Sequence, residues 1–379
     1  MAHTSTSADE SVVIALQQQV ARLQALLEAT RQIHAALTLD SAMALVLRIA
    51  VRELEVEEAQ WADLQTPQAE NWARFPLYGK DGNLLAELLI DPGPGRQLNL
   101  YEVDFLEGLA LQAAVAFENA RYHERNVQWV RVEQDLAAAR AIQRSLLPQK
   151  MPSLPGYEVA VRSSTCYEVG GDYADILALD SGQHIMVVAD VAGKGLASAL
   201  VGSAFRSAFR AMAQTNLPLP EIAARLNQQH WEEGPEARRL YVTAIFLRLD
   251  EEANQIEVVN AGHNPGLLAG GVLADGKSPS RLIGAGGTPL GLLPNQKFVS
   301  ETYSLEPGSR LLFYTDGLID ACPEIGDDEF GMDRLTAEFE DCPPTDCEGI
   351  LDCLWQSFAN FSGGREQKDD MTALVLLRK

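Results

Sequence analysis

Positive charge is scarce in this 379-residue chain: 30 Lys and Arg stand against 53 Asp and Glu, a formal net charge of −23. That surplus repels nucleic-acid phosphates and anionic lipid surfaces at long range, so neither is expected as a partner. Long apolar runs are missing too. None approaches the roughly 18 uninterrupted residues of a spanning helix, and the opening MAHTSTSADES has no basic stretch followed by an apolar one. A soluble cytoplasmic protein is the expectation. Cysteine is sparse, with Cys166, Cys322, Cys342, Cys347 and Cys353 forming an odd, scattered set without a CxxC pair. They read as packing cysteines of a reducing compartment, and the Cys342, Cys347, Cys353 group lacks both zinc spacing and a nearby His. Aromatics are only 7% of the chain, yet hydrophobic residues reach 46%, enough to build cores in two domains.

Val13, Leu16, Val20, Leu23 and Leu27 recur at alternating spacings of three and four, the a/d pattern of a short coiled coil. The stripe fits a homodimer contact or packing on its own domain equally well, and the expected partner is a second copy of the chain, paired through this N-terminal helix and the linker helix that follows the next segment. Residues 26–119 then alternate helix, short strands and helix. Residues 115–147 carry no Gly or Pro, so a helix joins this segment to the C-terminal part of the chain and ends at Pro148. After Pro155-Gly156 the texture becomes β-rich, with strands expected at YEVAVRSST, HIMVVADV, YVTAIFLRLD, QIEVVNAG, TYSLEPGSRLLFYTDG and MTALVLLR. Helices are expected at GLASALVGSAFRSAFRAMA, at LPEIAARLNQQHWEE and around 346–361. Successive hairpins interleaved with helices predict an α+β arrangement of antiparallel sheets flanked by helices. The expected division is an N-terminal helix at 1–25, a small α/β domain at 26–119, a linker helix at 120–148 and a larger domain at 149–379.

Four acidic positions share one local grammar. Asp172 in EVGGDYAD, Asp190 in VVADVAGKG, Asp316 in LLFYTDGL and the Asp369-Asp370 pair in QKDDMTALVLL each lie at a strand end beside glycine or another turn. Strand ends hold short carboxylates rigidly, and glycine lets backbone or ligand come close. An Asp beside Gly is most often only a turn or cap. Four in one domain point instead to a cradle for hard cations such as Mg²⁺ or Mn²⁺, which take oxygen ligands.

The strings IQRSLLPQKMPSLPGYEVAVRSSTCYEVGGDYAD, VVADVAGKGLASALV, VVNAGHNPGLL, GGTPLGLL, LLFYTDGLIDA and KDDMTALVLL succeed one another over 141–379. In that order they resemble the metal-dependent protein phosphatases (PPM, or type 2C), in particular their RsbU-like bacterial branch. The resemblance implies an α/β/β/α sandwich and two Mn²⁺ or Mg²⁺ ions per catalytic domain. It implies Asp172 and Asp190 as ligands bridging or flanking both ions, with activated water as nucleophile. The Val191 carbonyl would add a contact, Asp316 and Asp369 would complete the coordination of the second ion, and Asp370 would orient its neighbour. The implied substrate is phosphoserine or phosphothreonine on a signalling protein, such as a STAS-type anti-sigma-factor antagonist. The layout of 26–119 resembles a short GAF-type sensor domain, without a ligand motif.

Many eukaryotic members of that family carry a His just after the second Asp, whereas here Asp190 is followed by Val191-Ala192-Gly193-Lys194. The proton for the leaving group therefore has no assigned source. Lys194 is read as an exposed turn residue rather than a phosphate ligand, and His263 as part of a polar hairpin turn rather than a base. No Cys-x5-Arg loop is present, which argues against thiol-based phosphate chemistry. Two other readings compete. GGDYA resembles the GGDEF string of nucleotide cyclases, although DVAGKG, YTDG and DDMT have no counterpart there. A degenerate domain that binds phosphoproteins without hydrolysis is the non-enzymatic alternative, opposed by the retention of all four carboxylates.

Overall fold

The computed structural model describes residues 5–62, 72–148, 151–179, 181–215, 217–270, 279–323, 328–343 and 345–379. The expected domain boundary at 149 lies outside them. The chain divides into two compact units, 1–134 and 135–379.

The first unit contains α1 (Ser5–His34), α2 (Leu39–Leu54), β1 (Glu58–Trp61), β2 (Ala73–Tyr78), β3 (Leu84–Asp91) and most of α3 (Leu100–Leu146). Its three strands form an antiparallel sheet in the order β1-β3-β2. Ile33, Val46, Ile49, Leu88, Ile90, Leu109 and Phe117 meet in one core, so helices from both ends of the unit pack with the sheet. Thr38 caps α2, its hydroxyl accepting from the Ser41 amide, which explains the sharp start after the α1–α2 turn. The helix expected across 115–147 is the C-terminal part of α3, a single helix of 47 residues, because no proline interrupts it. The heptad stripe does not pack on its own domain: Val13, Leu16, Val20, Leu23 and Leu27 are all exposed, while Ala29 and Ile33 further along α1 are buried.

The second unit continues from the α3 C-terminus with β4 (Tyr157–Ser164), β5 (Tyr173–Ala178), β6 (His184–Val191), α4 (Leu196–Ala213), α5 (Leu219–Glu232) and the short α6 (Pro235–Arg238). Next come β7 (Val242–Asp250), β8 (Gln255–Ala261), β9 (Gly266–Ala269), β10 (Ser280–Ile283), β11 (Ser300–Ser304) and β12 (Arg310–Tyr314). It ends with α7 (Gly331–Asp341), α8 (Cys347–Ser362) and β13 (Met371–Arg378). Two five-stranded sheets result, β10-β9-β12-β13-β4 and β11-β8-β7-β6-β5. Every strand pairing within them is antiparallel.

Alternation along the strands stacks the layers. Met186 and Val188 of β6 and Leu374 and Leu376 of β13 point into the core between the sheets. Their neighbours Ile185, Val187 and Ala189 face α4 and α5, and Ala373, Val375 and Leu377 face α7 and α8. Burial on both faces is why these strands read as continuous apolar runs. The layers are helix, sheet, sheet, helix, the α+β sandwich expected from the sequence. Strands β5, β9 and β10 and helix α7 were not anticipated, because they are short or come after turn-rich segments.

One expectation about cysteine is corrected. Cys342 and Cys353 are bonded, while Cys166, Cys322 and Cys347 are free. The reversal from α7 into α8 brings their Cα atoms to 6.0 Å, within bonding reach, and a spacing of eleven carries no sign of that reversal. Among the described residues, no helix is long and apolar enough to cross a membrane.

Candidate functional site

The four predicted aspartates arrive from both sheets. Asp190 lies in β6 opposite Thr243 of β7, and Asp172 directly precedes β5, the neighbour of β6. Asp316 opens a 3-10 turn after β12, and Asp369 lies just before β13, the neighbour of β12. Adjacent strand ends of each sheet thus deliver two carboxylates apiece to one end of the sandwich. Asp190, Val191, Asp316 and Asp369 line a common cleft of about 280 Å³.

The electrostatics show what the cleft can hold. Burial pushes the Asp190 carboxyl up to about 7, helped by the charges of Asp316, Asp369 and Asp370. Asp172 is raised well above the usual carboxylate range, by burial first and by Asp190 next. Asp316 is raised by burial and by Asp369. Carboxylates driven upward together are short of positive charge. A cluster of hard oxygen donors at turn-flanked strand ends is the chemistry that suits a divalent cation, so the residues fit Mn²⁺ or Mg²⁺. Among the described residues no three His, Cys, Asp or Glu side chains converge on one ion as they stand. Asp369 is instead turned onto Lys194, whose Nζ lies 2.6 Å from its Oδ2.

Lys194 is exposed in the turn before α4, as read from the sequence, and that contact adds a partner the turn alone does not supply. Gly193 and Gly195 both take positive φ, 93° and 78°, and the resulting kink aims Lys194 at the cleft. Nothing local in the sequence announces a partner 175 positions away.

Each carboxylate is positioned by neighbours. Thr315 Oγ1 donates to Asp172 Oδ2 at 2.7 Å, fixing its orientation. Asp370 points away from the cleft, accepting from the Cys166 amide at 2.9 Å and the Gly171 amide at 2.8 Å. It holds the Gly-Gly-Asp loop, an orienting role one residue from Asp369. The glycines are required by proximity. A Cβ on Gly170 would come 2.2 Å from Asp370 Oδ2, one on Gly171 would lie 2.9 Å from the Val191 carbonyl oxygen, and one on Gly317 would lie 2.0 Å from the Asp370 carbonyl oxygen. The same loop is gripped from the other side by the last turns of α3. Gln143 Nε2 donates to the Gly170 carbonyl at 2.6 Å, and Gln143 Oε1 accepts from the Gly170 amide at 3.2 Å.

His263 lines the cleft but is fully engaged. Its Nε2 lies 3.0 Å from the Tyr314 carbonyl, which can only accept, so Nε2 carries the hydrogen. Nδ1 then accepts from Thr243 Oγ1 at 2.9 Å. Burial lowers the imidazole to about 4, so the ring is neutral near neutral pH and not a free base. Its amide also donates to Asn260 Oδ1 at 2.7 Å, as in a polar turn. Thr243, Thr315 and Gln143 were missed by sequence reasoning. Thr315 alone had a signal, standing directly before Asp316.

Residues 180–379 match the family described as Stage II sporulation protein E (SpoIIE). The chain is 22% identical over 279 residues to the phosphoserine phosphatase RsbU of Bacillus subtilis, covering 74% of this chain and 80% of that protein. It is 27% identical over 190 residues to the phosphoserine phosphatase RsbP of the same organism, covering 50% of this chain and 46% of RsbP. Protein IcfG of Synechocystis matches at 24% identity over 272 residues, 64% of this chain and 41% of IcfG. The chain thus spans less than half of RsbP and IcfG. Among solved structures, the SiaA-PP2C domain of Pseudomonas aeruginosa superposes with a TM-score of 0.57 at 20% identity, covering 66% of this chain and 98% of that domain. That likeness places the sandwich among type 2C phosphatase folds.

Proposed function

The chain belongs to the SpoIIE family, and from that premise we propose that it is a metal-dependent protein serine/threonine phosphatase acting on a phosphorylated signalling protein. The observation that carries this reading is the cluster of four aspartates from both sheets, three of them driven upward by burial and mutual repulsion. Asp172, Asp190, Asp316, Asp369 and the Val191 carbonyl would hold two Mn²⁺ or Mg²⁺ ions. Such ions lower the pKa of bound water and clamp phosphate oxygens for in-line displacement.

The chain's own residues supply order around that chemistry. Thr315 keeps Asp172 in one orientation, and Asp370 with Gln143 holds the loop that presents it. Lys194, held at the cleft by Asp369 and by the Lys368 carbonyl, would bring a positive charge to a phosphate bound there. Neutral His263, with its hydrogen given to Tyr314, stiffens the wall instead of moving protons. The substrate we propose is phosphoserine or phosphothreonine on a STAS-type protein. Residues 26–119 would act as a GAF-like sensor, and two copies would pair through the exposed stripe of α1.

The test is hydrolysis of p-nitrophenyl phosphate. Turnover should appear with Mn²⁺ or Mg²⁺, vanish in EDTA and resist iodoacetamide, since no thiolate is the nucleophile. Inactivation by iodoacetamide that phosphate prevents would contradict the reading. Conversion of a nucleoside triphosphate to a cyclic product would favour the cyclase instead.

A further inference from the structure

Beside the aspartate cleft lies a second cavity of about 230 Å³ that no step of the proposed hydrolysis uses. Trp355, Phe358 and Ala359 of α8 and Met371 of β13 line it, and Gly317 and Asp369 line it too. Asp369 also lines the cleft, so the two hollows share a wall.

The aromatic side of this cavity is fixed in advance. The Arg162 guanidinium stacks 5.5 Å from the Trp355 ring, and Arg162 is itself tied to Glu348 and Asp352 at 2.9 and 2.8 Å. The Trp355 ring meets Phe358 edge-on at 6.0 Å, and Phe358 meets Phe330 at 4.7 Å. Walls held this way present a shape before anything binds, which lowers the entropy cost of recognition. Sites for whole cofactors or drug-sized ligands run from roughly 300 to 1,000 Å³. A cavity of about 230 Å³ suits one large side chain.

Resting on the phosphatase reading, we propose that this cavity is a substrate subsite that receives an apolar side chain, such as Leu, Met or Phe, from a residue flanking the phosphoserine. An extended peptide advances about 3.3 Å per residue. A phosphoserine over the cleft therefore sets a close neighbour in sequence over the adjoining hollow. The aspartate cleft handles the phosphate of any substrate, and the aromatic hollow adds discrimination between protein substrates.

The experiment compares two phosphoserine peptides, one with Leu and one with Ser on both sides of the phosphoserine, by kcat/KM at saturating Mn²⁺. p-Nitrophenyl phosphate, which has no flanking residues, is measured alongside. Wild-type protein should prefer the Leu peptide by about tenfold or more, the range one apolar group commands in a fitted pocket. Ala359→Phe, an exposed α8 position that lines the cavity, should reduce the preference to within about twofold while p-nitrophenyl phosphate turnover stays within about twofold. Trp355→Ala, which opens the cavity instead of filling it, should lower the Leu preference at least about fivefold. Equal use of both peptides by wild type, or an undiminished preference in both variants, overturns the subsite. Failure of wild type to hydrolyse p-nitrophenyl phosphate with Mn²⁺ overturns the phosphatase reading, and the subsite with it.

Discussion

At the scale of single residues, the cleft is a place where ordinary stability rules run backwards. Asp190 is pushed up to about 7, by burial first and by neighbouring carboxylates next, while an unfolded Asp titrates near about 3.9. The native state then holds a proton that the unfolded chain has already released. Stability of the metal-free protein therefore falls as pH rises from about 4 to about 7, and is recovered on going back down. Asp190→Asn should raise the metal-free melting temperature at pH 7, because it removes a buried repulsive charge, and should lower kcat by about 100-fold or more. Thermal melts in EDTA and steady-state kinetics in Mn²⁺ check the two halves separately. Gly317→Ala should do the opposite to stability. Its Cβ would sit 2.0 Å from the Asp370 carbonyl oxygen, so both melting temperature and activity should drop although no carboxylate is altered.

At the scale of elements, α3 ends in a grip on the Gly-Gly-Asp loop of the candidate site. Gln143, near the end of α3, makes both hydrogen bonds to Gly170, and Arg206 of α4 donates to the Leu146 carbonyl at 2.9 Å. Gln143→Ala should therefore lower kcat by about tenfold or raise the Mn²⁺ concentration needed for half-activity, while leaving the melting temperature within a few degrees. Ala138→Pro breaks the helix without touching the loop, at about 3 kcal/mol. It should change activity of the intact protein and have no meaning in a fragment that begins near 141. Equal kcat and KM in the intact protein, the variant and the fragment would make α3 a tether.

Much of this element-scale arrangement was legible in the chain. HIMVVADV and MTALVLLR announced β6 and β13 almost to the residue, because strands buried on both faces are written as unbroken apolar runs. The four aspartates were legible because turn chemistry marks strand ends. Gln143, Thr243 and Lys194 were not, since their meaning depends on partners 20 to 175 residues away that only the sandwich brings close. The Cys342–Cys353 bond was hidden because a spacing of eleven does not mark the reversal from α7 into α8.

At the scale of the whole molecule, the exposed apolar stripe of α1 is the feature a lone chain leaves unexplained. Leu23 is 62% exposed and its heptad partners Val13, Leu16, Val20 and Leu27 lie at 52–55%. Pairing two such stripes would bury them. Leu16→Lys combined with Leu23→Lys should convert a dimer to a monomer by sedimentation or light scattering, with p-nitrophenyl phosphate turnover retained. A wild-type monomer at micromolar concentration would remove that proposal. The proposed activity rests on a narrower point: the aspartates at the joined ends of the two sheets bind the cation on which hydrolysis depends. It is tested most directly by titrating Mn²⁺ into metal-free wild-type protein and Asp190→Asn while recording phosphate release from a phosphoserine peptide. The expected result is no release without metal, saturable activation of wild type, and at least about a 100-fold lower plateau for Asp190→Asn. Release in EDTA, or equal activation of both proteins, would contradict it.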